Sequence, residues 1–201
     1  SGAFDVLPIE LVKGGTLDCG ESGSTLRFLM SVAAVLGADA TFTGVGKLPQ
    51  RPMGALTDVL AAHGMAFERH TSDELPVTCS GTLQGGKFTL PGNVSSQYLT
   101  GLLFALPLAT VDSEIEVTGG LTSASYIDMT IDALRTAGIS VERRNNIFTI
   151  KGNQQYRMPS RVVVEGDGSS AAFWVVAGVI GKQSVTVCSM NNESLQGDSA
   201  I

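Results

Sequence analysis

The chain has 201 residues, of which 43% are hydrophobic and 16% are charged, and this composition excludes a disordered protein. Its formal net charge of -6 argues against a general nucleic-acid binder, because such a protein needs a basic face to replace phosphate counterions. The longest apolar run, residues 171–180, is interrupted by Gly178 and is far shorter than the ~20 residues of a membrane span.

The three cysteines, Cys19, Cys79 and Cys188, are widely spaced and odd in number, which argues against a disulfide framework and a zinc site. We therefore expect no metal site and a reducing, cytoplasmic environment. The first residues lack the features of a signal peptide, and the last residues, 197–201, do not form a closing element. We expect a piece of a longer protein.

Three Gly/Ser-rich segments repeat along the chain, and each is followed by an apolar stretch of helical length. They begin at Gly20, Gly92 and Gly166, which are 72 and 74 residues apart. A period this long indicates a repeated supersecondary unit rather than a solenoid turn. We expect one partial domain over residues 1–201, with units at about 15–86 and 87–155 and an incomplete unit at 156–201.

Each unit is predicted to follow the order β-α-β-α-β-β, which places the chain in the α/β or α+β class. In the first unit we predict a short strand before the Gly/Ser turn, helices at 24–36 and 52–63, and strands at 40–43, 66–69 and 77–80. In the second we predict helices at 95–108 and 126–137 and strands at 88–90, 114–118, 140–143 and 147–151, the last two joined by a hairpin at Asn145-Asn146. In the third we predict strands at 161–165 and 184–188 and a helix at 169–180.

The predicted helices at 95–108 and 169–180 are apolar nearly all round, a pattern typical of buried helices. Helices inside and sheets outside would explain this pattern. Ordinary packing of helices on one face of a sheet is the alternative.

The Gly/Ser turns that open the helices are natural anion sites, because free backbone N–H groups and the helix dipole favour negative charge there. Ser95 and Ser96 add hydroxyl donors, and Gln97 adds an amide in the first turn. The structural alternative is that these serines only cap their helices.

Two arginines strengthen the anion-binding interpretation. Arg27 lies in an apolar context where a buried guanidinium needs an anion or a structural carboxylate, and Arg51 precedes Pro52 at the next helix start. Ser123 and Tyr126 lie at the matching helix start of the second unit and are therefore expected to face the Ser95 turn.

Several segments resemble, in order, those of the 5-enolpyruvylshikimate-3-phosphate synthase family of enolpyruvyl transferases. The segment at residues 20–27 is similar to its G-N-A-G-T-x-x-R motif, and the segment at 48–54 to R-P-[IM]-x-x-L. Residues 95–100 match S-S-Q-[FY]-L-T, the most specific of the set, and residues 123–130 match S-x-x-Y-I-x-[MI]-T. Residues 166–170 and 195–198 resemble two later landmarks, so that the likeness covers essentially the whole chain.

The resemblance implies an inside-out fold of repeated β-α-β-α-β-β units, with helices buried inside and sheets outside. It implies a transferase of the shikimate pathway, which transfers the enolpyruvyl group of phosphoenolpyruvate to the 5-hydroxyl of shikimate 3-phosphate and releases phosphate. It implies no metal or organic cofactor, no nucleic-acid or membrane partner, and contact with a second domain of the same polypeptide.

The resemblance also implies roles for individual residues. Ser95, Ser96 and Ser123 would hold the shikimate phosphate, and Gln97 and Tyr126 would contact the shikimate ring side. Gly23, Arg51 and Gln97 would line the phosphoenolpyruvate site, and Arg27 would support it. The implied substrate-binding set is Gly23, Ser24, Arg27, Arg51, Ser95, Ser96, Gln97, Ser123 and Tyr126.

The chain departs from the family pattern at several points. Ser24 replaces a more frequent Thr but keeps a hydroxyl, whereas Glu21 replaces a frequent Asn and brings a negative charge to an anion site. The family's early P-G-S-K-S segment and the second domain, which supplies the Asp and Glu for proton transfer, are not found. We expect no catalytic acid or base in this chain and no turnover by it alone.

Three other functions remain open. The sister transferase acting on UDP-N-acetylglucosamine commonly carries a reactive cysteine near Arg51, whereas here no cysteine lies between Cys19 and Cys79. A non-catalytic anion-binding module would use the repeated caps only structurally. A nucleic-acid-processing protein built on similar units is disfavoured by the acidic charge.

Overall fold

The computed structural model describes residues 4–6, 13–92, 95–121 and 123–200. The strands are β1 (Thr16–Asp18), β2 (Thr41–Thr43), β3 (Met65–Arg69), β4 (Val77–Gly81), β5 (Lys87–Pro91), β6 (Ser113–Thr118), β7 (Val141–Arg144) and β8 (Ile147–Ile150). The helices are α1 (Gly23–Leu36), α2 (Gly54–Ala61), α3 (Ser96–Ala105), α4 (Ala124–Thr136) and α5 (Gly168–Gly181). Short 3-10 turns lie at Leu48–Gln50, Leu106–Leu108 and Gly197–Ala200.

The described strands form two sheets of the same topology. Their strand orders are β1-β2-β4-β3 and β5-β6-β8-β7. In each sheet the first two strands are parallel and the other pairings are antiparallel. This is the predicted β-α-β-α-β-β order, found twice. Because the first two strands of each sheet are parallel, the segments that follow them leave from the same edge.

The sheets lie outside the helices, as the apolar pattern of α3 predicts. In β5, for example, Phe88 and Leu90 are buried whereas Lys87 and Thr89 are exposed, so one face of the strand meets the core and the other meets solvent. One continuous hydrophobic cluster joins both sheets to helices α1 to α4. Burial is therefore shared between the two repeated units.

Helices α1 and α3 approach each other closely at Gly101. A methyl group added there would lie 2.7 Å from the carbonyl oxygen of Arg27 and 2.8 Å from Oγ of Ser31. The absence of a side chain at Gly101 therefore sets the distance between the two helices. It also brings their N-terminal ends together, which positions the site described below.

Two predicted helix boundaries differ from the structure. The helix predicted at 52–63 is Gly54–Ala61, because Met53, with φ -122° and ψ -9°, is not helical and stands at the N-cap position. The helix predicted at 95–108 ends at Ala105, because Pro107 lacks an N–H for the next helical bond and the chain continues as a 3-10 turn.

The predictions for the third repeat are partly wrong. Helix α5 forms but is not buried, since Phe173 and Trp174 are 78% and 65% exposed. The segments 161–165 and 184–188 are not strands. In the described part of the chain, the backbone bond nearest to both segments runs from the N–H of Gly166 to the carbonyl of Ser189, just beyond their ends. An isolated pair of extended segments is marginal in water, because a sheet needs further strands or a packed face.

Candidate functional site

The candidate site lies where the N-terminal ends of α1 and α3 meet the loop after β2. Helix α1 begins at Gly23, whose backbone is approached by two guanidinium groups. A methyl group added at Gly23 would lie 3.1 Å from Nη1 of Arg27 and 3.3 Å from Nη1 of Arg51. Both arginines therefore reach the same point, directly over the positive end of the α1 dipole.

The side chain of Arg27 is buried and is held by helix α3. Its Nη1 donates to Oε1 of Gln97 over 2.5 Å, and its guanidinium lies over the ring of Tyr98, 5.3 Å from the centroid. Its Nε is buried and has no hydrogen-bond partner among the described residues. The sequence left open a carboxylate partner for Arg27, and in the described residues the structure supplies the Gln97 amide instead.

Gln97 is fixed at both ends of its amide. While its Oε1 accepts from Arg27, its Nε2 donates to Oγ of Ser24 over 3.0 Å. Ser24 is available for this bond because Ser22, not Ser24, caps α1 by accepting from the backbone N–H of Thr25. The site thus joins Gly23, Ser24, Arg27, Arg51 and Gln97, all of which the sequence singled out.

Arg51 is exposed on a loop whose backbone is bound on both sides. Its own N–H donates to the carbonyl of Leu48 over 3.1 Å, and the carbonyl of Pro52 accepts from the hydroxyl of Tyr98 over 2.7 Å. In the described chain neither Arg27 nor Arg51 forms an ion pair with a carboxylate. Two cationic groups and a helix N-terminus therefore face one another, and no described carboxylate pairs with either guanidinium, which is the arrangement of an anion-binding site.

The second group of predicted residues lies at the start of α3. Ser95 caps the helix, accepting from the N–H of Gln97 over 3.3 Å, and Ser96 is its first residue. Both serines are half-buried and line a shallow cleft with Leu99, Val117 and Leu121. Residues 93 and 94 of this Gly/Ser turn lie outside the described residues.

Ser123 and Tyr126 lie at the start of α4. Helices α3 and α4 follow the parallel strands β5 and β6, so they begin at the same edge of the second sheet. Ser123 has a left-handed backbone, with φ 62°, and its side chain makes no capping bond to α4. Tyr126 is 54% exposed. Helices α3 and α4 are tied to each other by a 2.9 Å hydrogen bond between the hydroxyls of Thr100 and Thr130. Both predicted side chains are thus presented to solvent.

The third Gly/Ser turn differs from the first two. Asp167 caps α5 by accepting from the N–H groups of Ser169 and Ser170, and Asp198 accepts from the hydroxyl of Ser169. The hydroxyl of Ser170 and the two N–H groups lower the pKa of Asp167. Two carboxylates therefore occupy this helix start, and the third repeat matches the structural alternative in which the turn only caps its helix.

The carboxylate of Glu21 lies against the loop after β2. Its Oε1 is so close to the backbone of Gly46 that a methyl group added at Gly46 would lie 1.9 Å from it. Glu21 therefore contacts the loop that leads to Arg51. The negative charge expected from the sequence is present at this rim of the site.

Sequence reasoning missed Ser22 and Tyr98. Ser22 lies two residues before a helix that was predicted to begin at Ser24, so its capping role depended on the exact helix start. Tyr98 gave a weak signal, because a tyrosine in a buried apolar helix needs a partner for its hydroxyl.

In the described part of the chain no helix is long and apolar enough to cross a membrane. Nor do three or more His, Cys, Asp or Glu side chains gather there as a potential metal site.

Comparison with known proteins gives a consistent result. Residues 9–201 match the model of the family described as EPSP synthase (3-phosphoshikimate 1-carboxyvinyltransferase). The chain is 46% identical over 191 residues to the 3-phosphoshikimate 1-carboxyvinyltransferase of Clostridium kluyveri, covering 94% of this chain and 44% of that protein. It is 42% identical over 196 residues to the enzyme of the same name from Clostridium novyi, covering 94% and 43%.

The fold is similar to that of a solved EPSP synthase from Acinetobacter baumannii. The TM-score is 0.69 at 26% sequence identity, and the match covers 83% of this chain and 36% of that one. The chain thus spans less than half the length of the curated relatives it matches.

Proposed function

Since the chain belongs to the EPSP synthase family, we propose that it carries substrate-binding residues of a 3-phosphoshikimate 1-carboxyvinyltransferase. That reaction transfers the enolpyruvyl group of phosphoenolpyruvate to the 5-hydroxyl of shikimate 3-phosphate and releases phosphate. The observation that supports this proposal most is the convergence of Arg27 and Arg51 over Gly23, at a helix N-terminus. Both substrates are anions, and such a cluster of donors favours a phosphate or a carboxylate.

Phosphoenolpyruvate is the proposed ligand of the first group of residues. Arg51, exposed at the rim, would pair with its phosphate or carboxylate, and the N–H groups at Gly23 and Ser24 would add donors. Gln97 would line the same site. Arg27 would support the phosphoenolpyruvate site from its buried side, since its guanidinium is already hydrogen-bonded to Gln97.

Shikimate 3-phosphate is the proposed ligand of the second group. Ser95, Ser96 and Ser123 would donate to its phosphate at the start of α3 and α4. Tyr126, which is more than half exposed, would lie on the shikimate ring side together with Gln97. Because Gln97 belongs to both groups, the two substrates would meet at this side chain.

This arrangement would act by orienting two anions and compensating their charge. We propose that other groups complete the site: an acid and a base for proton transfer, and further cationic side chains. These would correspond to the part of the relatives that this chain does not span. The chain alone should therefore bind but not turn over, and measurable turnover would refute this part of the proposal. A cytoplasmic location, without a cofactor, belongs to the same proposal.

Calorimetric titration tests the binding proposal. Ser96→Ala removes a hydroxyl without touching the Ser95 cap and should weaken binding of shikimate 3-phosphate, whereas Ser80→Ala, on an exposed strand position of the other sheet, should not. Arg51→Ala should weaken phosphoenolpyruvate binding about tenfold or more, as expected for a lost charged hydrogen bond. Arg144→Ala, an exposed arginine on β7, is the matched control.

The proposed sites would be contradicted if Ser96→Ala bound shikimate 3-phosphate as tightly as Ser80→Ala does. The same holds if Arg51→Ala bound phosphoenolpyruvate as tightly as Arg144→Ala does. If the folded chain binds neither substrate, the same titrations with the protein extended to the length of its relatives separate an incomplete site from a wrong substrate. Binding that appears only then, and depends on Arg51 and Ser96, would support the proposal.

A further inference from the structure

We propose that Tyr98 is a positioning residue of the anion site, which holds Arg51 in place through the carbonyl of Pro52. The inference rests on the proposed function, because it concerns how the phosphoenolpyruvate side of that site is kept ready for its ligand. Tyr98 would not touch the substrate itself.

The contact between Tyr98 and the loop is direct. Tyr98 is the third residue of α3 and is only 5% exposed, yet its hydroxyl reaches out of the core and donates to the carbonyl of Pro52 over 2.7 Å. Pro52 follows Arg51 immediately, and the N–H of Arg51 donates to Leu48. The backbone is therefore bound at the N–H of Arg51, within its own turn, and at the carbonyl of the next residue, Pro52, which α3 holds.

The same ring also contacts the other arginine of the site. The guanidinium of Arg27 lies 5.3 Å from the centroid of the Tyr98 ring, within the range of a cation–π interaction. Gln97, the preceding residue, holds Nη1 of Arg27. The first turn of α3 thus restrains both arginines. Arg27 is held by the Gln97 amide and the Tyr98 ring, and Arg51 is held through the carbonyl of the following residue.

The consequence for binding follows from pre-organisation. An exposed arginine on a loose loop loses conformational freedom when an anion orders it, and that loss weakens the complex. A loop that is already bound to α3 avoids much of this loss. A net hydrogen bond is worth about 1 kcal/mol, so removing it should weaken anion binding by at most about fivefold.

A double-mutant cycle between Tyr98→Phe and Arg51→Ala tests this role. Tyr98→Phe keeps the ring, its packing and its place under Arg27, and removes only the hydroxyl. We expect phosphoenolpyruvate, titrated with shikimate 3-phosphate present, to bind about two- to fivefold more weakly to Tyr98→Phe. In the Arg51→Ala background the same change should have no further effect, because the group that it positions is gone.

Tyr156→Phe is the matched control. The hydroxyl of Tyr156 also donates to a backbone carbonyl, that of Phe104 over 2.6 Å, but away from the arginines. Its removal should leave the affinity for phosphoenolpyruvate unchanged. A second readout, hydrogen exchange of the Arg51 amide, should be faster in Tyr98→Phe than in Tyr156→Phe.

The outcomes separate this inference from the proposed function. Wild-type affinity in Tyr98→Phe, or an equal loss with and without Arg51, would overturn the positioning role while leaving the site intact. An affinity that does not depend on Arg51 in the wild-type background would overturn the proposed function itself.

Discussion

The amide of Gln97 bridges two helices that begin at different repeats of the chain. Its oxygen lies 2.5 Å from Nη1 of Arg27, 70 positions earlier in the sequence, and its nitrogen lies 3.0 Å from Oγ of Ser24. A neutral side chain therefore satisfies part of a buried guanidinium without neutralising it. The positive charge of Arg27 therefore remains available to an anion. A carboxylate at position 97 would neutralise that charge.

Replacing Gln97 should separate stability from anion binding. Gln97→Ala leaves the buried guanidinium of Arg27 with another unpaired nitrogen, which should lower the free energy of unfolding by about 1–3 kcal/mol. Gln97→Glu offers a carboxylate to Arg27 and should retain more of this stability, while repelling the anionic ligand. Urea unfolding and phosphoenolpyruvate titration of both variants measure the two effects. Tight anion binding by Gln97→Glu would contradict the charge argument.

Gly101 should be intolerant of even one added methyl group. In Gly101→Ala the new group would meet the Arg27 carbonyl oxygen at 2.7 Å, and backbone atoms cannot turn aside. We expect a loss of about 1–3 kcal/mol in the free energy of unfolding, as is usual for overpacking. Gly54→Ala, in a helix position with open space around it, is the control and should be neutral or stabilising. Equal stability of the two variants would show that α1 and α3 can separate at no cost.

The elements of the first two repeats could be predicted because their signals are local. Apolar periodicity, Gly/Ser turns and the Asn145-Asn146 hairpin each act within a few residues, and the predicted elements form there. The predicted start of α2 differs by two residues because Met53 is not helical, which the apolar pattern does not show. In the third repeat, the pattern of α5 predicts a helix but not what covers it.

The site could be predicted only in part, for a related reason. In-phase repeats indicated that several helix starts gather, and Arg27, Arg51 and Gln97 were recognisable as polar groups near them. The bonds from Gln97 to Arg27 and from Tyr98 to Pro52 join residues far apart in the sequence. Such contacts depend on the distance between α1 and α3, which no local pattern encodes.

Ser123 provides a test that separates a hydroxyl contribution from backbone strain. Its left-handed backbone, with φ 62°, is strained for serine but comfortable for glycine. Relief of about 1–2 kcal/mol of left-handed strain exceeds the ~0.5–1 kcal/mol of extra backbone entropy that glycine loses, so Ser123→Gly should raise the free energy of unfolding by about 0.5–1 kcal/mol. It should also weaken the binding of shikimate 3-phosphate. Asn145→Gly, at another left-handed position with φ 55° in the β7–β8 hairpin, should affect stability alone. Undiminished shikimate 3-phosphate binding by Ser123→Gly would remove Ser123 from the site.

The cysteines should differ sharply in their reactivity toward alkylating reagents. Burial raises the pKa of Cys79 to about 12, and burial together with Asp18 raises the pKa of Cys19. Since only the thiolate reacts, about one part in ten thousand of Cys79 is reactive at pH 8 even before access is considered. Cys188 is exposed, so iodoacetamide should label it first in the native protein, whereas Cys79 should react only after the first sheet opens. Mass spectrometry of the labelled peptides measures the order. The control is Cys188→Ser, which removes the cysteine that should be labelled first. Early labelling of Cys79 in the folded protein would contradict the packing of β4 against the core.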